Sequence, residues 1–185
     1  MKLLIDIENE IAESEQPTAV NNLVDYFNPC IDYVLNFEGF AGYDSKGNPG
    51  WKCNTVGDPG GRTVWGICEM AEGKDIVNQL WDMTADDAKI YAKKIYFKNY
   101  WIPIHGQGKD LFYATAVLDC AVNNGVNLAN KLQLTCLDVT SFCDARIAKL
   151  NAAYPNGFIL GDPPHDILQD LISRVNKCRT RADNT

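Results

Sequence analysis

Histidine is scarce: the chain has two, His105 and His165, and both stand in loops broken by proline. That scarcity excludes a nucleophilic triad built on imidazole and a histidine-rich metal centre, so no metal is expected. Cysteine is better represented, at positions 30, 53, 68, 120, 136, 143 and 178, but no two are spaced as CxxC. An odd count without paired spacing argues against a zinc ribbon or a thioredoxin-type site. Cys120, inside "AVLDCAVN", reads as a small buried hydrophobe. Reduced, structural thiols are the expectation.

Positive charge is also short. Lys and Arg number 17 against 24 Asp and Glu, a net charge of −7. With no basic face to displace counterions from phosphate, neither nucleic acid nor an anionic membrane is expected as a partner. A neutral sugar polymer is compatible with this balance. Long apolar runs are missing too, and none approaches the ~18 residues of a membrane span. The opening "MKLLIDIENEIAESEQPT" has acidic residues from Asp6 onward, where a signal peptide would place its apolar core. Synthesis in the cytoplasm is expected, with delivery elsewhere left to another agent.

What remains is globular in character: 185 residues, 46% apolar and 22% charged. A core of this size stands without staples. Residues 1–25 read as an acidic N-terminal extension, 26–180 as one mostly helical domain, and 181–185 as a tail. "FNPCIDYVLNFEG" is a helix with both ends written in. Asn28 suits the cap, Pro29 the first helical position and Gly39 the left-handed stop. Residues 39–61 carry too much Gly and Pro for a helix, and "TVWGI" at 63–67 reads as one arm of a small hairpin. "TADDAKIYAKKIYFKNYW" opens with Thr84 and has Asp87 three residues on, a capping-box variant. "KDLFYATAVLDCAVNNG" is a helix stopped by Gly125, and three more helical patterns follow it.

One residue in the first helix bears on chemistry. Its apolar stripe is Ile31, Val34 and Leu35, and the same spacing places Glu38 on the core face of the last turn. Partial burial and the helix dipole would both favour the protonated acid, the form a general acid needs. The alternative is a solvated helix-end carboxylate, and periodicity leaves the two open. The long Gly-rich segment that follows is of a kind usually tied to function. Within it Asp44 in "GYDSKG", Asp58 in "GDPGGRT" and the nearby Thr63 offer oxygens that could hold a water, or else serve as turn formers.

In order, "FEGF…DPGGRTVWGI", "AKIYAKKIYFKNYW", "ATAVLDCAVNNGVNLANKLQ" and "LISRVNKCR" resemble the family-108 glycoside hydrolases, muramidases of phages and bacteria found in endolysins and phage particles. The resemblance runs from about Phe27 to Arg179. It implies a lysozyme-like, mainly α (α+β) fold: a helical lobe and a small β-hairpin lobe around a cleft. It also implies cleavage of the β-1,4 bond between N-acetylmuramic acid and N-acetylglucosamine in peptidoglycan, with no cofactor. The family's catalytic Glu of "EGG" falls on Glu38, and its "DPGG-x-T" falls on Asp58 to Thr63. In related phage-type lysozymes a Glu, an Asp and a Thr share the work, which here are Glu38, then Asp58 or Asp44, then Thr63. The chain departs from the pattern in having Phe40 after Glu38-Gly39, and in the extra "SKGNPGWKCNTVG" before "DPGG".

Near the motif Tyr43, Trp51 and Trp65 are candidates to stack on sugar rings, Trp65 having a second reading as core. Asn123 and Asn124 could bind N-acetyl or hydroxyl groups, or cap their helix beside Gly125. Asp119, a further polar residue on the same mostly apolar helix, could join them or instead bond a neighbouring backbone N–H. The partner implied is a peptidoglycan glycan strand, with residues 1–25 as an arm for other virion proteins. Release through a holin-type pore or carriage in a particle would deliver the enzyme. Two other readings stand beside hydrolysis: a lytic transglycosylase, and a non-catalytic lysozyme-fold virion or wall-binding protein.

Overall fold

The computed structural model describes residues 26–38, 50–54, 60–160 and 165–183. The fold class is the expected one, mostly helical with a small three-stranded antiparallel sheet. The chain forms two compact units, one spanning Phe27–Ile102 and the other running from Pro103 onward.

The first unit opens with α1, Phe27–Glu38. Its stripe is buried as the periodicity requires, with Ile31, Val34 and Leu35 all in the core. The helix starts one residue earlier than the sequence suggests, so Asn28 lies exposed in the first turn instead of capping it. The cause is Phe27. Its ring packs edge-on against Phe97 at 4.9 Å and tilts onto Trp101 at 5.6 Å, which fixes the chain before Asn28 is reached. On the outer side Asp32 pairs with Lys93 at 2.7 Å.

The sheet comprises β1 (Lys52–Cys53), β2 (Thr63–Val64) and β3 (Ile67–Cys68), in that spatial order. "TVWGI" is therefore not one arm of a hairpin but both arms with their turn. Val64 pairs with Ile67, leaving Trp65-Gly66 as a two-residue loop. Both loop residues have positive φ, 49° and 80°, as the right-handed twist of a two-residue hairpin requires. β1 comes from the inserted segment and adds an edge strand through Lys52↔Val64 and Cys53↔Thr63. The Lys52 ammonium donates to the carbonyl of Trp81 and lies 4.3 Å from the Trp51 ring centre.

Two short helices follow, α2 (Glu69–Glu72) and α3 (Lys74–Trp81), then α4 (Ala85–Tyr96). Thr84 caps α4 as its sequence predicts. Its hydroxyl oxygen accepts from the Asp87 N–H and donates to the Asp87 carboxylate at 2.8 Å. α4 then widens into a π turn, Phe97–Trp101.

The second unit is built on α5, Leu111–Asn124, whose residues 114–121 are all buried. Asp110 caps it, and Gly125, at φ 88°, ends it where expected. α6 (Val126–Gln133), α7 (Val139–Ala153) and α8 (Ile167–Asp183) follow, the three further helices of the sequence reading. Before α8, β4 (Ile159–Leu160) pairs with β5 (His165–Asp166), so His165 opens a strand and not a loop.

Asp119 of α5 meets two side chains from other helices. Fully buried, its carboxylate accepts from Arg146 of α7 at 2.7 Å and from Arg174 of α8 at 2.5 Å. All seven cysteines are thiols, five of them buried. Burial pushes the Cys120 thiol up to about 11 and raises Cys143 and Cys178 as well, so these three are inert packing groups. Among the described residues no helix is long and apolar enough to cross a membrane.

Candidate active site

The second glycine before Arg62 has a conformational reason. Gly61 has φ 73°, and a Cβ there would meet a carboxylate oxygen of Glu69 at 2.6 Å. A side chain at that φ is strained whatever the space, and the Glu69 Cβ at 3.1 Å crowds it further. Glu69 in turn accepts from Arg62 Nε at 2.7 Å, and that bond holds its carboxyl below the usual carboxylate range. The Arg62 guanidinium also donates to the Asn78 side-chain oxygen and lies 5.4 Å from the Trp81 ring centre. Two backbone bonds complete the clamp, Glu69 N–H to Arg62 O at 3.0 Å and Met70 N–H to Gly60 O at 3.1 Å. The residues around "GGRT" are thus locked to α2 and α3, a rigid mount for Thr63.

Register decides which way Thr63 points. Side chains directly opposite one another share a face of the sheet. Lys52, Val64 and Ile67 form one row, in which Val64 and Ile67 are buried. Cys53, Thr63 and Cys68 form the other, facing outward: Cys53 is exposed, and Thr63 and Cys68 are half-exposed.

Trp65 lies in the core. It is 8% exposed, and its indole N–H donates to Ala85 O at 3.0 Å. Its own N–H donates to Trp51 O at 2.8 Å, and its carbonyl accepts from the Tyr96 hydroxyl at 3.1 Å. Trp51 stacks on it at 6.4 Å, and the Lys89 ammonium lies 5.1 Å from its ring centre. A bulky residue at positive φ is strained, and it persists where its surroundings over-determine it. Here they do so from four sides.

Glu72 was not singled out by the sequence. Its two oxygens accept from Asn99 at 2.7 Å and from the Tyr100 hydroxyl at 3.3 Å, both on the π turn. The Tyr100 ring is 5.4 Å from that of Tyr96, which reaches Trp65. No local signal could have found Glu72, because its partners lie 27 and 28 residues away. Burial pushes the Glu72 carboxyl above its usual value, and this outweighs the two donors and Lys98, which favour the anion. Folded protein therefore binds the Glu72 proton more tightly than unfolded chain. The stability linked to it is complete below the ordinary carboxylate value of 4.5 and is lost as pH rises through the higher folded value. Glu72→Gln removes that cost while its amide meets both partners, the Tyr100 hydroxyl turning to accept. Thermal unfolding should show the variant about a degree or two more stable at pH 7, a modest gain because solvent screens a half-buried group, and no more stable at pH 4. A variant less stable at pH 7 would refute this account.

Glu38 is the last residue of α1, three positions beyond the buried Leu35; its side chain lies outside the described residues. Tyr43, Asp44 and Asp58 also lie outside them. Asn123 and Asn124 belong to the second unit. The Asn123 amide donates to Asp119 O at 2.9 Å, and the Asn124 oxygen accepts from Arg146 Nε at 2.7 Å. Among the described residues no group of three or more His, Cys, Asp or Glu gathers to hold a metal.

Helix α1 ending in Glu38 and the glycine-clamped turn carrying Thr63 lie within one unit, and Glu38 and that turn both fall inside a match to a family model. The model is that of glycosyl hydrolase 108, and it covers residues 31–125, just over half of the chain. The chain belongs to glycosyl hydrolase family 108. This family-108 hydrolase is a glycosidase and acts on a glycan. The match begins at Ile31, on the stripe of α1, and stops at Gly125, the residue that ends α5. No curated protein and no solved structure matches the chain.

Proposed function

We propose that the protein is a muramidase, hydrolysing the β-1,4 bond between N-acetylmuramic acid and N-acetylglucosamine in peptidoglycan. The observation that carries this reading is the family match over a span holding both "EG" at Glu38 and "DPGG-x-T" at Asp58 to Thr63. In the proposed reaction Glu38 protonates the glycosidic oxygen as the bond to C1 of the muramic acid breaks. A water held by Asp58 or Asp44, with the Thr63 hydroxyl, attacks the oxocarbenium-like sugar from the opposite face, inverting the anomeric centre. The outward orientation of Thr63 and the rigidity of its mount support its part in this. Release through a holin-type pore, or carriage in a phage particle with residues 1–25 as the attachment arm, would bring the enzyme to its substrate.

Digestion of purified peptidoglycan tests the reading. Mass spectrometry of the soluble products should show muropeptides ending in reducing N-acetylmuramic acid, first released as the α-anomer. Anhydro-muramic ends would mean a lytic transglycosylase, and reducing N-acetylglucosamine ends a different bond. Protein that releases nothing yet pellets with cell wall would favour the binding role.

A further inference from the structure

We propose that Cys53 and Cys68 form a thiolation site that closes the enzyme: a small disulfide captured by either thiol covers Thr63. The inference rests on the catalytic part given to Thr63 above. Its geometry rests on the register alone, since Cys53 and Cys68 are the cross-strand partners of Thr63 on either side. Hydrogen-bonded rungs alternate with open ones along an antiparallel pair. The rung from Glu69 N–H to Arg62 O leaves the next pair, Thr63–Cys68, at an open position, where side chains approach most closely.

Selectivity follows from burial. Cys30, Cys120, Cys136, Cys143 and Cys178 are all in the core, while Cys53 is exposed and Cys68 half-exposed. Both accessible thiols of the seven therefore flank one hydroxyl. They cannot close on each other. Two strand spacings separate them by roughly 9–10 Å, beyond the ~7 Å Cα limit of a disulfide. Oxidation must end as a mixed disulfide. A thiolate of Cys53 or Cys68 attacks one sulfur of a low-molecular-weight disulfide, forming the protein–S–S–R bond. The old S–S bond breaks and R–S⁻ leaves with its electron pair. Excess thiol reverses the exchange.

The test uses the full chain with glutathione disulfide, and methyl methanethiosulfonate as a smaller probe, followed by intact mass, peptide mapping and peptidoglycan release. Adducts should map to Cys53 or Cys68, release should fall by roughly tenfold or more, and dithiothreitol should restore it. The double variant Cys53→Ser/Cys68→Ser, compared with its own untreated activity, should be indifferent to the reagents. Adducts at these positions with unchanged release, adducts confined to other cysteines, or equal loss in the double variant would each overturn the proposal. Untreated protein that releases nothing counts against the muramidase reading alone. Thiolation is then read by pelleting with cell wall, and an adduct that leaves pelleting unchanged overturns it.

Discussion

Glu38→Gln is expected to lower peptidoglycan hydrolysis by about 10²–10⁴-fold, the usual contribution of a positioned general acid. In barrier terms that is roughly 3–5 kcal/mol. The amide keeps the size of the acid and its place at the end of α1, but it has no proton to give the leaving oxygen. The loss should therefore fall on kcat with KM little changed, since proton donation matters only as the bond breaks. Stability should not suffer. The stripe that holds α1, Ile31, Val34 and Leu35, is untouched, and removing a negative charge from a helix C-terminus is neutral or slightly favourable. The pH profile provides a second readout: the alkaline limb of the wild-type activity should report the Glu38 proton and be missing from the residual activity of the variant. A variant that keeps more than about a tenth of wild-type kcat would remove Glu38 from the acid's role and, with it, the mechanism proposed here.

What could be read from the sequence was local. The α1 stripe, the Thr84 cap and the Gly125 stop each depend on residues within one or two helical turns, and each is found as expected. The hairpin departs from its sequence pattern because its turn places a tryptophan at positive φ, which no propensity favours. The strain at Trp65 is held by Trp51, Ala85 and Tyr96, and no short window contains all three. For the same reason the Gly- and Pro-rich inserted segment carries no strand signal of its own, although Lys52 and Cys53 acquire strand partners at Val64 and Thr63. In "DPGGRT" the glycines were visible but their purpose was not. For Gly61 that purpose is its left-handed φ beside Glu69, which lies seven residues after Arg62 on the other side of the hairpin. Asp119 shows the limit most clearly, since its partners lie 27 and 55 residues further along the chain.

Those partners make Asp119→Ala the most destabilising substitution expected in the second unit, at about 3–5 kcal/mol. One carboxylate from α5 answers guanidinium groups from both α7 and α8, with the Asp119 and Arg146 side chains 0% and 1% exposed. Removing it leaves Arg146 in the core with the Asn124 oxygen among its remaining acceptors, and takes the Asp119 carboxylate from the mostly buried Arg174. Neither arginine can escape by giving up a proton, because guanidinium stays charged in proteins. For a chain of this size the melting temperature should fall by roughly 6–20 °C, read by calorimetry or circular dichroism. Should the single variant fail to fold, a triple replacement keeps the argument testable. Asp119→Leu with Arg146→Met and Arg174→Leu removes both charge signs together and fills the space with apolar groups, and such exchanges are often neutral or stabilising. The triple variant should therefore be more stable than Asp119→Ala despite carrying more changes. If it is less stable, the cluster holds the three helices by hydrogen-bond geometry that apolar packing cannot replace, and charge balance is not its main contribution.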